Sequence, residues 1–360
     1  MKKTILGGAF ALPLLLSATP LLAEETASDD DTAITALGFR PDAHGPAGVM
    51  GDHVHLGDEV MIGLEWMHMR HSGANQIGTE AISDGDIVDA GYSVRTQDMT
   101  MDMAMLHIMY APNDSLTFIL MPTWNRMEMT MLGIDPMAGM HMDMGGHGGH
   151  HMLLQGETMA HSVSGIGDTR LGVLVRLTED RGLAAHAGLS LSVPTGSVSE
   201  KNHDGTFVHY GMQPGSGTWD LEPSLTIKGI EEGFGWGVQA KQLFRLEDSN
   251  ESGFAFGDRF TANAWVSKPL GQGFSLSARL GFTSSGSIEG HYNGAHNHAS
   301  PPDRQENYGG DVLDAGLGAN IVIGMGIRLG AEVSLPLYQD LNGIQSPRDY
   351  GLNLSLNKTF

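Results

Sequence analysis

Methionine and histidine alternate with other residues in one stretch of this 360-residue chain, where every second position from Met99 to Met109 carries one of the two. Alternate side chains share one face of a β-strand, so the stretch predicts a strand with a continuous thioether face. Thioether sulfur is a soft, uncharged ligand that suits Cu(I) and Ag(I), and imidazole binds both Cu(I) and Cu(II). The pattern therefore predicts a surface that handles a soft metal ion.

Methionine also recurs at alternate positions in the predicted strands on either side of this stretch. A loop rich in methionine, histidine and glycine follows these strands. Nineteen of the 22 methionines lie between Met50 and Met159, so the enrichment is local. The candidate metal ligands are Met67, Met69, His71, Met99, Met101, Met103, Met105, His107, Met109, Met127, Met129, Met131, Met140, His141, Met142, Met144, His147, His150, His151 and Met152. His44, Met50, His53 and His55 extend the same composition towards the N-terminus.

Strand geometry limits how these side chains could act together. Residues i and i+2 on one strand lie ~6.6 Å apart, whereas opposed residues on neighbouring strands lie ~4.5–5.5 Å apart. One ion would therefore draw its ligands from several strands, and repeated weak sites could pass it along. Two other interpretations stay open. A methionine-lined lumen could bind an apolar organic molecule, and methionine could simply fill gaps in the packing.

Period-two alternation of apolar and polar residues continues along the chain and predicts an all-β protein with twelve strands. The predicted strands are 57–71, 92–110, 115–132, 165–178, 183–195, 218–230, 234–247, 257–268, 274–287, 310–324, 326–338 and 349–360. Connections after even-numbered strands are short, whereas those after most odd-numbered strands are long, including 72–91, 133–164, 196–217, 288–309 and 339–348. Short turns at one end, long loops at the other and an even strand number indicate a transmembrane antiparallel β-barrel of a bacterial outer membrane.

The N-terminus resembles an export signal, because Lys2 and Lys3 precede the short apolar run from Ile5 to Leu16 and Ala23 could end it. We therefore predict a signal peptide over residues 1–23. Residues 24–56 form a predicted acidic extension, either irregular in the periplasm or tucked into the barrel mouth, and the barrel itself covers 57–360. Within the barrel, 133–164 is predicted as an extracellular loop rich in methionine and histidine.

Composition narrows the classes of function. The chain has 20 Lys and Arg against 42 Asp and Glu, a formal net charge of −22, which argues against a nucleic-acid binder. It has no Cys, which excludes disulfides, thiolate metal sites and cysteine nucleophiles. Only 17% of residues are charged, against about 25% in soluble domains. No catalytic constellation is recognisable, so we expect no enzyme activity and no required cofactor.

Four stretches carry a family resemblance: GVMGDHVHLGDEVMIGLEWMHM (Gly48–Met69), SGIGDTRLGVLVRL (Ser164–Leu177), LSLSVPTGS (Leu189–Ser197) and GSGTWDLEPSLTIKG (Gly215–Gly229). They resemble the outer-membrane transporter family named for meta-pathway phenol degradation, and the Met/His-rich start and loop resemble a copper-associated branch of it. The resemblance implies an outer-membrane barrel and, from the family name, uptake of aromatic compounds.

These observations predict an outer-membrane channel or binding protein that handles copper, as Cu(I) with Ag(I) as its mimic. The alternative is a passive channel for aromatic or other apolar solutes, and a structural or adhesin-like barrel is a third possibility. The expected partners are outer-membrane lipid, the barrel assembly machinery, and a soft metal ion or a small apolar solute as cargo. The ligands would be the same for efflux and for uptake.

Overall fold

The computed structural model describes residues 40–138, 153–180, 182–324 and 326–360. Its strands are β1 (Val60–Ser72), β2 (Gln76–Gly78), β3 (Glu80–Ala81), β4 (Val94–Asn113), β5 (Leu116–Met121), β6 (Thr123–Gly133), β7 (Thr158–Ile166), β8 (Thr169–Asp180), β9 (Leu183–Val193), β10 (Asp220–Glu231), β11 (Phe234–Arg245), β12 (Phe254–Ala255), β13 (Arg259–Pro269), β14 (Phe274–Ser285), β15 (Glu289–Gly290), β16 (Gly310–Ile323), β17 (Ile327–Gln345) and β18 (Arg348–Thr359). Helix α1 (Asp84–Asp89) and the 3₁₀ turns Tyr210–Met212, Pro301–Asp303 and Gln305–Asn307 lie in loops. The predicted signal peptide (1–23) and the first part of the predicted extension, to residue 39, lie outside the described residues.

Twelve antiparallel spans close into one barrel. The wall runs β1, β4, β5/β6, β7/β8, β9, β10, β11, β13, β14, β16, β17 and β18. β5 and β6 form one span interrupted at Pro122, which has no N–H for the ladder, and β7 and β8 form another. Because β1 pairs with both β4 and β18, the ring closes, which confirms the predicted twelve-stranded all-β barrel.

The outer surface of the wall carries an apolar belt. On β1, Ile62 and Leu64 are about half exposed, whereas Met61, on the opposite face of the strand, is buried. β17 repeats the pattern with exposed Val333, Leu335 and Leu337. Exposed leucines on successive strands would be unfavourable in water, whereas hydrocarbon surrounds them without cost. The protein is therefore an integral protein of the bacterial outer membrane.

A change from apolar to charged residues marks the upper edge of this belt. Trp66 on β1 and Trp124 on β6 both lie opposite Ala104 of β4 and form the last apolar row. In the next row towards the loops, His68 binds Asp102 with an Nδ1–Oδ1 distance of 2.9 Å, and Asp102 also lies opposite Arg126. The outward-facing carboxylates of β4 thus lie above the membrane core.

Connection lengths follow the predicted asymmetry, with two corrections. β7 begins at Thr158, so Met159 and His161, predicted as loop residues, lie in a strand. Their neighbours Ala160 and Ser162 have weak strand preference, which hid the alternation. β17 continues to Gln345, seven residues beyond its predicted end, because its upper part pairs with β16 and β2.

Packed loops cover the extracellular end of the barrel. Tyr292 stacks with both Phe207 and Tyr210, with ring centroids 4.3 Å apart in each pair. Phe254 packs against Tyr210 edge to face. His209 approaches Asp303 with an Nδ1–Oδ1 distance of 2.8 Å, which ties the β9–β10 loop to the β15–β16 loop. Within the described part of the chain, no helix is long and apolar enough to cross a membrane.

Candidate functional site

A continuous surface of methionine side chains covers the inner face of three neighbouring spans. We call this surface the methionine arc; it consists of Met61, Met67 and Met69 of β1, Met99, Met101, Met103, Met105 and Met109 of β4, Met121 of β5, and Met127, Met129 and Met131 of β6. Each member occupies the face opposite the apolar belt, because strand side chains alternate between the two faces of the wall.

The strand register places members of the arc in rows. Met69, Met101 and Met127 lie side by side on β1, β4 and β6. The row above contains His71, Met99 and Met129, and His161 of β7 extends it. Opposed residues in such a row have Cβ atoms ~4.5–5.5 Å apart, so neighbouring thioethers and imidazoles can touch a common ligand.

The upper half of the arc is covered by a loop. Met127, Met129 and Met131 are at most 5% exposed and pack against Val94 of β4 and Val208 and Met212 of the β9–β10 loop. The Thr96 hydroxyl donates to the sulfur atoms of both Met129 and Met131 at 3.9 Å. These thioethers form a closed apolar surface in this structure.

The lower half of the arc lies within the membrane belt and adjoins the polar side chains Glu65 and His107. Met61 lies opposite Met109, and Glu65 lies opposite Met105. His107, opposite Gly63, places its Nε2 3.4 Å from the Glu65 carboxylate.

The segment before β1 fills the lumen next to this lower half. Residues 40–56, which we call the plug, have Asp42, Ala47, Val49, Asp52 and His55 buried. This placement corresponds to the tucked alternative of the predicted extension.

Side chains of the wall hold the plug through its backbone carbonyls. Lys241 donates to Met50 O at 2.9 Å, and Gln239 donates to the same oxygen at 3.1 Å. Further wall contacts to plug carbonyls include His186 Nε2 with Gly51 O, Lys228 with Ala43 O, Ser275 with Pro41 O and Asn320 with Gly45 O. Because these bonds use backbone atoms, the side-chain pattern of the plug gives little sign of them.

A small cavity of about 40 Å³ lies between the plug and the arc. Its lining includes His53 of the plug together with Met61, Glu65, His107 and Met109 of the wall. The cavity is large enough for a few water molecules or one ion, since a single water needs ~10–15 Å³ by this kind of measure.

Charged and uncharged polar side chains occupy the rest of the lumen wall. Arg279 makes a buried ion pair with Glu332 at 2.6 Å, and Arg245 pairs with Asp220 at 2.5 Å. Arg170 follows Met121 around the ring, since the two are opposed on β8 and β5. The lumen is therefore divided into an apolar thioether side and a polar side that contains these ion pairs.

At the extracellular end, Asp303 lies in a buried contact with His209. Burial alone would raise the pKa of this carboxyl, but hydrogen bonds from His209 and Ser300 and the nearby histidine charge hold it below its usual value. Burial raises the pKa of Tyr292 in the same loop region above its ordinary value.

The structure brings most of the predicted ligands together. Those on β1, β4 and β6 share one inner surface, namely Met67, Met69, His71, Met99, Met101, Met103, Met105, His107, Met109, Met127, Met129 and Met131. Those in the following loop lie outside the described residues, namely Met140, His141, Met142, Met144, His147, His150, His151 and Met152. Sequence reasoning missed Met212 and Val208, whose loop sequence has no periodicity that would indicate their contact with the arc.

Residues 86–327 match the model of a family described as "Putative MetA-pathway of phenol degradation". The chain belongs to this family. Three of the four stretches that carry the predicted resemblance fall inside the match, whereas Gly48–Met69 lies before it. The match identifies the family but does not distinguish its branches, so membership of a copper-associated branch stays a prediction.

Among solved structures, the chain is similar to an outer-membrane channel from Pseudomonas putida F1, with 15% identity over 87% of this chain and 99% of that one and a TM-score of 0.56. At this identity the likeness shows the fold alone. A FadL homologue of Pseudomonas aeruginosa (11% identity, 91% and 93% coverage, TM-score 0.39) and the TodX monoaromatic hydrocarbon channel (12%, 90% and 94%, TM-score 0.40) are more distant. A comparison with curated proteins gives no significant match.

Proposed function

We propose that this protein is an outer-membrane channel for small apolar solutes, aromatic compounds among them, and that the methionine arc is the surface along which they move. The observation that carries the proposal is the strand register, which aligns inward-facing methionines from the loop-covered row of Met99 and Met129 down to Met61 and Met109 beside the plug. Methionine is flexible and polarisable, so it adapts to apolar guests of different shape and contacts aromatic rings favourably. The family name, which refers to phenol degradation, supports the same class of solute.

Such a channel must open before a ring can pass. An engineered cavity of about 150 Å³ binds benzene, whereas the cavity beside the plug has about 40 Å³. The plug is held mainly by hydrogen bonds to its backbone, and the upper arc is held by Met212 and Val208. We infer that solute passage requires displacement of the plug and of this loop contact.

A soft metal ion is the second candidate cargo, and one specific observation favours it. One row across four neighbouring strands consists of His71, Met99, Met129 and His161. Every side chain in this row is a potential metal ligand. Two thioethers between two imidazoles form a donor set suited to Cu(I) or Ag(I). Copper would be transported cargo rather than a resident cofactor.

One substitution set separates the two cargoes. Met101, Met103, Met105, Met127 and Met129 are changed together to Leu, which keeps volume and apolarity and removes sulfur. The apolar-solute proposal expects this variant to retain toluene or phenol uptake in a host that lacks the native gene. The metal candidate expects loss of the copper and silver phenotypes, measured as cell metal content and tolerance.

Two further variants complete the design. Met105→Glu places a charge on the buried arc and should reduce uptake of the apolar solute, because desolvating a carboxylate is costly. Met137→Leu is the matched control, since Met137 is 48% exposed and lies outside the arc. Unchanged solute uptake in the Met105→Glu variant, with normal amounts of folded barrel, would contradict the proposal.

A further inference from the structure

The plug contains a compact group of nitrogen and oxygen donors that the channel proposal does not use. His44, Asp52 and His53 each offer one atom, and the three atoms lie within 4.8 Å of one another. His44 and His53 have ring centroids 4.7 Å apart. We propose that these three residues bind one transition-metal dication of the Cu(II) or Zn(II) class, and that the bound ion fastens the plug.

The Asp52 carboxylate is already held between two parts of the plug. Asp52 accepts from the Gly45 N–H at 2.7 Å and lies 2.8 Å from His53 Nδ1. The Gly45 N–H and the His53 ring thus fix the position of the Asp52 carboxylate within the group. The donor set is therefore positioned by the fold before any ion arrives.

A fourth nitrogen stands beside this group. The ring of His55 lies 4.7 Å from that of His53, and its Nδ1 lies 3.0 Å from the Glu59 carboxylate. His55 Nε2 is buried and makes no hydrogen bond to any described residue. A buried nitrogen in this state is costly, and an ion coordinated at this point would satisfy it.

The donor types select the class of ion. Two imidazoles and one carboxylate favour Zn(II) or Cu(II), whereas the thioethers of the methionine arc favour monovalent soft ions. In a tetrahedral site with bonds of ~2.0–2.1 Å, neighbouring ligand atoms lie about 3.4 Å apart. The three donor atoms, which lie within 4.8 Å of one another, would move closer together to reach that spacing. The plug site and the arc thus differ in chemistry.

Nearby charges set the importance of Asp52. Two cations of the wall lie near the group. Lys228 donates a hydrogen bond to Ala43 O at 3.1 Å, and Arg328 lines the adjoining cavity. Both cations oppose a dication, so the Asp52 carboxylate is needed to offset their charge, and Asp52→Asn should weaken binding at least tenfold.

The position of the donors gives the ion a mechanical effect. His44 lies before Gly45, and Asp52 and His53 follow Gly51, so the ion would join the two ends of the turn that Lys241 and Gln239 hold at Met50. Metal binding would stabilise the folded plug and keep the channel closed. Chelation would favour opening.

The test uses the full chain in detergent after removal of metal with a chelator. His141, His147, His150 and His151 are changed to Gln in every protein compared, so that the loop does not contribute sites. Cu(II) binding is followed by electron paramagnetic resonance and by titration, and Zn(II) by competition. We expect one equivalent of Cu(II) with nitrogen coupling, displaced by Zn(II).

Added to this background, His53→Gln and Asp52→Asn should each weaken binding at least tenfold, whereas His291→Gln, an exposed loop substitution, should not change it. The faster gel migration of unheated protein verifies that each barrel is folded. Equal affinity and an unchanged spectrum in both plug variants would overturn the proposal. The proposal would also be overturned if the background protein, with the plug unchanged, bound no single equivalent of Cu(II) that a chelator removes.

Discussion

The bond from Lys241 to the plug gives a direct test of whether the plug closes the channel. Lys241 Nζ donates to Met50 O at 2.9 Å, and Lys241→Met removes this bond while keeping most of the side-chain volume. A hydrogen bond to a charged group contributes about 1.5–3 kcal/mol. Since 1.4 kcal/mol is a factor of ten, the displaced state should become roughly 10- to 150-fold more populated.

Single-channel recording in planar bilayers measures this population directly. We expect Lys241→Met to raise the opening frequency without changing the current of an open channel. Lys268→Met is the control, because Lys268 lies near the end of β13 and is exposed, on the face opposite buried Ser267. Adding Gln239→Leu removes the second donor to Met50 O, for a further change of about 0.5–1.5 kcal/mol.

The outcome that refutes this reasoning is specific. The plug does not control conduction if the Lys241→Met channel has the same opening frequency as the Lys268→Met channel and the double variant with Gln239→Leu also shows no increase. A change in the current of an open channel would instead indicate that the barrel wall itself had changed.

Three other predictions concern packing and protonation. Met127→Ala should destabilise the barrel by about 2–5 kcal/mol and Met127→Leu by less than about 1.5 kcal/mol in urea unfolding from lipid vesicles, because the side chain is 1% exposed. Gly48→Val should increase conductance, because a side chain at this position collides with Glu332; conductance equal to that of wild type would contradict it. The lowered pKa of Asp303 contributes loop stability that is present above about pH 3.9 and lost as the pH falls through the lower folded value. Thermal unfolding followed from pH 6 to pH 2 should show this loss, and Asp303→Asn should remove it.

Much of the wall is readable from the sequence because alternation is a local property. Leu352, Leu354 and Leu356 on β18 alternate with residues that face inward, and the structure keeps that assignment. The methionine face of β4 follows from the same rule. β7 was missed because alanine and serine at its outer positions resemble a loop.

The covering of the site depends on long-range contacts that local patterns do not encode. The packing of Met212 against the arc joins residues far apart in sequence, with no repeat to indicate the partner. The plug was foreseen only as one of two alternatives. Its wall bonds end on backbone oxygens such as Met50 O, and every residue type provides that acceptor.

The order of plug and β1 in the chain has a consequence for assembly kinetics. β1 follows the plug after only residues 57–59, and it closes the ring by pairing Met61 with Thr359 near the other end of the chain. A pairing between such distant residues carries the largest loop-closure entropy and belongs to the slowest part of folding. The strand that completes the seam therefore brings the plug with it. Ring closure and filling of the lumen become a single late event, and a barrel without a seated plug is a state that follows assembly rather than precedes it.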